Sequence, residues 1–556
     1  MNNYFKQYSF LVKEYSNKFW KLISLFLISG LLDFIGIGLI GPFISIALND
    51  NAHVTDSLFS FGLFNDLELS IYLLGFLVIF IFFCKGFISF WIQRKIIIFS
   101  ANVEKDIKMK LLKKFFRTSY FIQEDKDSSK QVNLINNHSK LFASETLMQS
   151  LRLVSDTIVI MAILILLFRV SFNYALSLIF LFVVAYFFYD SFVKGRIRIY
   201  GEMVTKTSQN IISIVRDSVI GKQELKVYRK EFIMMKILSE NTIQYANSMK
   251  KYLSLKVIPK YALEFLMVTF VVSIILISLF SKSEPKDVFA VLSIFAVAAM
   301  RVIPTSNQMI VSANSMRFSS YVLNELYEEL IVDDEKNIEQ KNINSFSSLE
   351  LKNVSFHYNG NLVFDNINLK INKGDSFCIS GKSGVGKSTL VKIILGLLRP
   401  SSGEVRINNE IINYEDDSYL ELFSYIPQKL LLMNDSIKNN ILFGDKLVSE
   451  NSNAFQNALI RSNLNETLLN FDDGIDTHIG EVGSKISGGQ GQRVGLARAF
   501  FHQRDVIVFD EATSSLDEDL ETKIYKDITS NSNGFTSIII THNPNIVKLC
   551  SKTFNL

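Results

Sequence analysis

Six long apolar segments constrain the fold of this chain more than any other feature of its sequence. They lie within the first 330 residues, near 19–47, 68–94, 140–168, 170–194, 255–281 and 286–312. Each approaches or exceeds the roughly 20 residues that an α-helix needs to cross a bilayer. Polar residues interrupt the third and fifth segments, so the other four are the clearer spans. We therefore expect an all-α, six-helix transmembrane domain over residues 19–330, after a polar segment, 1–18, with no removable signal peptide.

Basic residues are distributed unevenly among the connections between these segments. Eight Lys and Arg residues lie from position 94 to position 117, whereas the loop at 49–66 has none. The positive-inside rule then places both ends of the chain and the long connections, 95–139 and 195–254, in the cytoplasm. These connections are charged and helix-patterned, with few Pro or Gly residues. We expect a multi-pass protein of the inner, cytoplasmic membrane with long cytoplasmic helical extensions.

Three cations from three different crossings stand out among the ionisable residues inside the predicted spans. They are Lys85, Lys260 and Arg301. A charge that faces lipid is expensive, so each needs a partner or a wet cavity. Together they could form a basic lining suited to a phosphate-bearing substrate. Any of them could instead belong to a neutralised structural pair, as the helical spacing of Arg152 and Asp156 suggests for those two residues.

The composition changes sharply after the last apolar segment. Residues 331–347 are polar and lack apolar periodicity, so we interpret them as a linker. The next residues, 349–356, alternate between apolar and polar as a strand does. We therefore expect residues 348–556 to form a soluble α/β domain.

Charge and cysteine content exclude some classes of function. A formal net charge of +4 gives no support to a nucleic-acid partner. The three cysteines lie far apart and lack metal-ligand spacing, which argues against a disulfide framework or a zinc site. They are Cys84, Cys378 and Cys550.

Residues 381–388 read Gly-Lys-Ser-Gly-Val-Gly-Lys-Ser and fill the pattern G-x-x-x-x-G-K-S. A strand-like run precedes them and an apolar, helix-like run follows, which is the context that a phosphate-binding loop requires. Successive backbone N–H groups can surround a phosphate there, and the helix N-terminus adds a favourable dipole. Lys387 would reach the terminal phosphates of a nucleoside triphosphate, and the Ser388 hydroxyl would bind Mg²⁺. The expected nucleotide contacts are Gly381, Lys382, Ser383, Gly384, Val385, Gly386, Lys387, Ser388 and Thr389.

Acidic, amide and imidazole side chains follow this loop in an order that suits phosphate hydrolysis. Asp510 would hold Mg²⁺ at the end of an apolar strand, and Glu511 next to it could polarise the attacking water. Gln428 offers an amide to Mg²⁺ and to that water, and His542 can contact the γ-phosphate. Tyr358, ahead of the loop, could stack on a purine ring. We expect the catalytic residues to be Glu511, His542 and Gln428, and the Mg²⁺ ligands to be Ser388, Gln428 and Asp510.

A second set of backbone N–H groups is expected at a helix start about 100 residues beyond the loop. Its residues are Ser487, Gly488, Gly489 and Gln490. One domain cannot easily bring both sets onto the same phosphate. Two domains arranged head to tail can do so, with each closing the other's nucleotide site. We therefore expect a homodimer, and a different but related chain remains an open alternative for the second domain.

The order of these motifs, together with Ser-Ser-Leu-Asp at 514–517, resembles the ATP-binding cassette (ABC) transporters. Six crossings ahead of one cassette resemble a type IV exporter half-transporter, a multidomain membrane protein. The resemblance implies an α/β P-loop ATP-binding cassette and an ATP hydrolase coupled to transmembrane transport. It also implies that Asp517 communicates across the dimer. The usual His-Arg is replaced here by His542-Asn543, while every catalytic position is kept.

Within the exporters, residues 257–264, 299–307 and 437–441 resemble bacterial lipid-linked oligosaccharide flippases of the PglK type. That group moves undecaprenyl-pyrophosphate-linked glycans to the outer leaflet and uses basic cavity residues toward the pyrophosphate. The resemblance implies this role for Lys85, Lys260 and Arg301. Two of these are Lys where that group has Arg, which loses the bidentate fork. The likeness also allows a short external helix within 49–66, where an ordinary loop is equally consistent.

Two other functions stay open at this point. One keeps the pump and changes the cargo to a peptide or another lipid. The other is an ATP-gated channel or a regulatory membrane protein. A degenerate cassette would be the main sign of that second function, and this cassette is intact.

Overall fold

The computed structural model describes most of the chain in two compact units. It describes residues 2–47, 67–118, 120, 128–280, 285–331, 345–358, 360–382, 384–414, 417–445, 452–480, 483–513, 516–530 and 535–556. The first unit is Met1–Arg117 with Lys126–Asp334, and the second is Thr118–Asp125 with Glu335–Leu556. Most of the predicted linker, 331–347, and the whole of the 49–66 loop lie outside the described residues.

Long helices build the first unit. In chain order they are α1 (Asn2–Val12), α2 (Ser16–Ala47), α3 (Leu67–Arg117), α4 (Ser128–Val170), α5 (Phe172–Ile220), α6 (Lys222–Val227), α7 (Glu231–Phe280), α8 (Pro285–Phe318) and α9 (Ser320–Ile331). Near its start α4 passes through π-helical stretches at Leu134–His138 and Phe142–Leu147. Within the described residues, six helices are long and apolar enough to cross a membrane, which confirms the predicted six-span, all-α domain.

Three of these helices are much longer than a bilayer is thick. α3, α5 and α7 contain 51, 49 and 50 residues. At 1.5 Å per residue each is about 75 Å long, against a hydrocarbon core of about 30 Å. The predicted helical extensions beyond the membrane are therefore confirmed.

Large apolar side chains hold the first unit together. The fully buried Phe26, Ile96 and Leu151 join α2, α3 and α4 in one cluster. A close backbone approach joins α5 to α8, because Gly201 lies so near the carbonyl of Phe318 that a Cβ would overlap it. Only glycine permits that distance between the two helices.

Two β-sheets and short helices build the second unit. In chain order the elements are β1 (Ser348–Tyr358), β2 (Asn361–Asn372), β3 (Ser376–Ser380), α10 (Lys387–Ile394), β4 (Ser402–Ile407), β5 (Glu410–Ile411), β6 (Phe423–Ile426), α11 (Ile437–Leu442), α12 (Asn453–Arg461), α13 (Leu464–Leu468), α14 (Gly488–Phe501), β7 (Val506–Asp510), α15 (Glu518–Thr529), β8 (Thr536–Ile540), α16 (Pro544–Val547) and β9 (Lys552–Asn555). The predicted α/β character of this part of the chain is confirmed.

The two sheets differ in direction and in burial. In the described part of the chain, β2-β1-β4-β5 pair as an antiparallel sheet and β6-β7-β8-β3-β9 as a parallel one. β7 and β8 are buried along their whole length, because both faces of the parallel sheet are covered. The carboxyl ends of the parallel strands meet at one edge, so the residues that follow them converge there.

One expectation from the sequence is wrong. Cys378 in β3 and Cys550 after α16 form a disulfide, with their Cα atoms 5.9 Å apart. Their separation of 172 positions argued against such a bond. Parallel pairing of β9 with β3 brings the segment around Cys550 next to β3, which removes that objection. Cys84, in the first unit, is free.

Candidate nucleotide site

The site lies at the carboxyl edge of the parallel sheet in the second unit. The glycine-rich loop follows β3, Gln428 lies just beyond β6, Glu511 follows β7, and His542 lies just beyond β8. β7 pairs with both β6 and β8, and β8 pairs with β3. Neighbouring strands lie about 4.8 Å apart, so side chains at their ends can reach one another. This edge gathers predicted residues that lie far apart in the sequence.

The loop forms an open cradle because its glycines adopt backbone angles that other residues avoid. The angle φ is 81° at Gly384 and 104° at Gly386. At Gly386 a Cβ would also lie 2.5 Å from Cγ1 of Val363, so a side chain is excluded on two grounds. α10 begins at Lys387, and the N–H groups of its first turn have no partner within the helix. Ser383 lies outside the described residues.

Lys387 places a positive charge inside this cradle. Its Nζ donates to the carbonyl oxygens of Gly381 and Lys382 at 3.1 and 2.9 Å. The residue is only 5% exposed. The oxygens that accept hydrogen bonds from this buried ammonium belong to neutral carbonyls, so replacing them with an anionic ligand is favourable.

Asp510 is buried at the end of β7 between two hydroxyl groups. Oγ of Ser388 donates to its Oδ1 at 3.1 Å, and the OH of Tyr425 donates to its Oδ2 at 3.3 Å. Burial raises the pKa of Asp510 above its ordinary value, and the two hydroxyl donors and Lys387 oppose that shift. Tyr425 is absent from the residues predicted from the sequence. Its position three residues before Gln428, on the strand beside β7, is the signal that could have identified it.

Glu511 has an unusual backbone conformation and a contact on each of its carboxylate oxygens. Its φ is 49°, a left-handed value that costs energy for a residue with a Cβ and is typical of functional sites. Nε2 of Gln428 donates to its Oε2 at 2.9 Å, and Nε2 of His542 lies 2.8 Å from its Oε1. The orientation of the carboxylate is therefore fixed.

One nitrogen of His542 serves two neighbours. Its Nε2 lies 2.8 Å from Oε1 of Glu511 and 3.1 Å from Nζ of Lys387. When Nε2 carries a proton it can donate to Glu511, and when it does not it can accept from Lys387. The tautomer of this imidazole thus decides whether Nε2 bonds to the carboxylate or to the ammonium of the cradle.

The second predicted set of N–H groups does lie at a helix start. α14 begins at Gly488, and Ser487 is its N-cap. Oγ of Ser487 accepts from the N–H of Gln490 at 3.3 Å, and Oε1 of Gln490 accepts from the N–H of Ser487 at 2.8 Å. This capping box stabilises the helix end, and Ser487 and Gly488 are exposed to a potential partner.

Two further residues named from the sequence lie at the margins of the cassette. Tyr358 ends β1 of the antiparallel sheet and is 47% exposed, so one face of its ring is open. Asp517 is the N-cap residue of α15 and makes no cap hydrogen bond through its side chain. Its carboxylate is therefore not committed to its own helix.

In the first unit, two of the three predicted cavity cations share a carboxylate. Lys85 forms an ion pair with the fully buried Asp33, and Nε of Arg301 lies 3.2 Å from Oδ1 of the same residue. Arg301 is 37% exposed at its side chain, whereas Lys85 is nearly buried. Lys260 lies on an exposed face, with its ammonium 5.6 Å from the ring centre of Tyr261. Asp33 was missed as the partner, although it is an acidic residue inside a predicted span.

The interaction of Arg152 with Asp156 that the sequence suggested is present in the structure. Asp156 interacts electrostatically with Arg301 as well as with Arg152. Arg301 on α8 therefore interacts with carboxylates of two other helices, Asp33 on α2 and Asp156 on α4.

Comparisons with known proteins identify the family of the chain. Residues 19–302 match the family model of the ABC transporter transmembrane region, and residues 364–514 match that of the ABC transporter. The ATP-dependent lipid A-core flippase of Syntrophus aciditrophicus is 34% identical over 215 residues, 38% of this chain and 35% of that protein. The ATP-dependent permease MDL1, mitochondrial, of Saccharomyces cerevisiae is 36% identical over 203 residues, 35% of this chain and 29% of that protein. The chain thus matches only about a third of the length of these relatives.

A solved structure extends the fold comparison to nearly the whole chain. A bacterial Atm1-family ABC exporter with ATP bound superposes with a TM-score of 0.78 at 17% sequence identity. The superposition covers 98% of this chain and 93% of that one, which shows a common exporter fold. Because the transmembrane family model alone matches just over half of the residues, the chain belongs to the ABC transporter family.

Proposed function

We propose that two copies of this chain form an ATP-driven flippase in the inner, cytoplasmic membrane, with the cassettes in the cytoplasm. Its cargo in this proposal is a polyprenyl-pyrophosphate-linked oligosaccharide or a related lipid-linked glycan. The observation that carries the proposal is the contact of Glu511 with both His542 and Gln428, beside the Lys387 cradle. These side chains suit hydrolysis of a terminal phosphate.

ATP binding in this proposal uses the cradle and its buried charge. Lys387 can exchange the neutral carbonyl oxygens around its Nζ for phosphate oxygens, which forms stronger, charge-assisted bonds. The N–H groups of the glycine-rich loop and of the first turn of α10, including Thr389, contribute further donors. Tyr358 offers its open ring face to the adenine.

The residues at the end of β7 fit a Mg²⁺ ion. The Ser388 hydroxyl and the Asp510 carboxylate, 3.1 Å apart, are the hard oxygen donors that Mg²⁺ prefers, and Gln428 offers an amide oxygen. Among the described residues, no group of three or more His, Cys, Asp or Glu could hold a metal by itself. Mg²⁺ commonly binds through one or two carboxylates plus substrate phosphates. Bound there, it would neutralise charge on the transferred phosphoryl group.

Glu511 acts as the general base in this proposal. Its two oxygens are held by Gln428 and His542, so its orientation is set before the attacking water arrives. Proton abstraction by Glu511 makes the water a better nucleophile. His542 can then donate to the γ-phosphate through the same Nε2 that contacts Glu511.

A second copy completes the nucleotide site in this proposal. Ser487 and the N-terminus of α14 are exposed, and Asp517 is not bound to its own helix. Head-to-tail pairing would let these groups of one cassette contact the nucleotide and the loop of the other. ATP then drives transport only if it binds the paired and separated cassettes with different affinity.

The charge cluster of the membrane unit supports an anionic headgroup. Lys85 and Arg301 share the carboxylate of Asp33. Arg301 and Arg152 both interact with Asp156, so three cations face two carboxylates and one positive charge is in excess. Arg301 is more exposed than Lys85. An accessible guanidinium with excess positive charge suits bidentate contact with a pyrophosphate.

An apolar cavity in the same unit supports a lipid tail on that headgroup. The cavity measures about 510 Å³ and lies between α4, α5, α7 and α8. Its walls include Leu153, Ile160, Phe182, Leu263, Val302 and Ile310. Val302 directly follows Arg301, so one wall residue of the cavity and the accessible cation belong to the same turn of α8. The lipid A-core flippase among the relatives gives independent support to a lipid cargo.

The proposal is tested with purified protein reconstituted in liposomes. ATP hydrolysis is measured with a polyprenyl-pyrophosphate glycan and, separately, with a panel of peptides, and a leaflet assay follows the labelled lipid. We expect the pyrophosphate lipid alone to stimulate hydrolysis and to change leaflets in the presence of ATP. Absence of any response to pyrophosphate lipids would refute this cargo while leaving the ATP-driven exporter in place.

Substitutions of single cations sharpen the test. Arg301→Gln should raise the half-stimulating lipid concentration about tenfold, because one charge-assisted bond is lost. Arg196→Gln is the matched control, since Arg196 is exposed on α5 and stacks on Phe192. Lys260→Gln decides whether the third predicted cation contributes as well. An Arg301→Gln protein that responds like wild type would remove this residue from the headgroup site.

A further inference from the structure

Glu521 joins two segments that carry groups of the nucleotide site. It lies in the first turn of α15. Oγ1 of Thr513 donates to its Oε1 at 2.7 Å, and Nδ2 of Asn543 donates to its Oε2 at 3.1 Å. One carboxylate therefore bridges the chain after β7 and the chain after β8.

The bridged residues are close neighbours of the catalytic pair. Thr513 lies two positions after Glu511, and Asn543 directly follows His542. Nε2 of His542 lies 2.8 Å from Oε1 of Glu511. The bridge through Glu521 is thus a second connection, parallel to the catalytic contact, between the same two segments.

The surroundings of the bridge leave it little freedom. Thr513 is 2% exposed, and its hydroxyl also lies 3.0 Å from the OH of the buried Tyr525. Oδ1 of Asn543 accepts from the N–H of Asn545 and so caps α16. Each amide atom of Asn543 therefore has its own partner, which fixes the rotamer.

This double use explains the departure from the usual His-Arg pair. An arginine at position 543 has donors but no acceptor, so it could reach Glu521 without capping α16. Asparagine supplies both functions at once.

Thr513 and Glu521 also contact residues next to α15 through the backbone. The N–H of Leu516 donates to the carbonyl of Thr513 at 2.9 Å, and the N–H of Glu521 donates to the carbonyl of Asp517 at 2.9 Å. Asp517 is the N-cap residue of α15, the helix on which Glu521 lies.

We propose that Thr513, Glu521 and Asn543 form a positioning clasp that sets the contact of Glu511 with His542. The clasp rests on the proposed function, because it acts on the hydrolysis of ATP. None of its three residues is among the predicted nucleotide contacts. Its loss should therefore reduce turnover and leave nucleotide affinity nearly unchanged.

The test compares variants of the full-length, reconstituted protein. Asn543→Asp keeps the cap of α16 and places a second carboxylate against Glu521, and Thr513→Val removes one hydroxyl from the bridge at nearly constant volume. Asn545→Asp makes the same charge change two positions away, on an exposed side chain, and serves as the control. We expect both clasp variants to lower kcat about five- to tenfold with KM for ATP within twofold, and the control to match wild type.

A double-mutant cycle separates the clasp from a merely structural role. Each variant is combined with His542→Ala, and single-turnover hydrolysis is measured so that slow rates are resolved. If the clasp acts through His542, a clasp substitution should lower the single-turnover hydrolysis rate of the His542→Ala protein less than twofold. The proposal would be overturned if a clasp substitution lowered the hydrolysis rate equally with and without His542→Ala. It would also be overturned if the single clasp variants had an unchanged kcat. A wild-type protein that hydrolyses no ATP would instead refute the proposed function and the clasp with it.

Discussion

Replacing Cys550 with alanine should destabilise the second unit by several kcal/mol. The bond from Cys550 to Cys378 links positions 172 residues apart. In the chain-entropy description, closing a loop of that length raises the free energy of the unfolded chain by about 5 kcal/mol at 25 °C. Removal of a native disulfide typically lowers the free energy of unfolding by about 2–5 kcal/mol. Cys550 is only partly buried, so its truncation adds little further cost. Cys378 is fully buried, and replacing it would add a cavity term.

The assay is thermal unfolding of the cassette unit in the oxidised, full-length protein, with and without a thiol reductant. A loss of this size should lower Tm by roughly 5–15 °C for a unit of about 200 residues. Reductant should bring wild type to the level of Cys550→Ala and leave that variant unchanged. Cys84→Ala is the control, because Cys84 is free, and it should respond to reductant as wild type does.

Two results would refute this reasoning. One is a wild-type Tm that does not respond to reductant while Cys550→Ala unfolds at the same temperature. The other is peptide mapping of the oxidised protein that finds Cys378 and Cys550 as free thiols.

Three other changes give measurable outcomes. Tyr425→Phe removes one donor from Asp510 and should weaken the Mg²⁺-dependent part of ATP binding about threefold to tenfold, with binding in EDTA unchanged, as measured by thermal shift. Gly201→Ala places a Cβ against the carbonyl of Phe318 and should cost at least about 2 kcal/mol, visible as a lower Tm of the membrane unit, whereas Gly195→Ala, which meets no neighbour, should not. Burial lowers the pKa of His502 and the nearby positive charge of Arg504 lowers it further, so the folded protein holds the His502 imidazole neutral. The unfolded residue titrates near about 6.5, so wild-type Tm should fall relative to His502→Gln as pH drops below that value, and a constant difference from pH 8 to pH 5 would contradict the shift.

Features with a fixed local spacing could be predicted from the sequence. The six apolar segments, the strand-loop-helix order at 381–388 and the helix start at Gly488 depend on neighbouring residues, and the structure has all of them. The convergence of Gln428, Glu511 and His542 follows from the parallel sheet, because each comes shortly after a buried strand. Their catalytic roles remain predictions.

Features that depend on packing between distant segments could not be predicted. The disulfide requires the pairing of β9 with β3, which no periodicity reveals. Asp33 as the shared partner of Lys85 and Arg301 depends on how α2, α3 and α8 are rotated about their axes. The bridge of Glu521 likewise depends on α15 lying beside the loop after β8.

The central claim is that hydrolysis at Glu511 moves a lipid-linked substrate across the membrane. Glu511→Gln tests it most directly, with ATP hydrolysis, ATP binding and leaflet exchange of a labelled polyprenyl-pyrophosphate glycan measured in the same proteoliposomes. Loss of the general base should lower hydrolysis by at least about 100-fold while ATP still binds. We predict that ATP-dependent lipid translocation falls by the same factor. Translocation that continues at the wild-type rate without hydrolysis would contradict the claim and would favour an ATP-gated path.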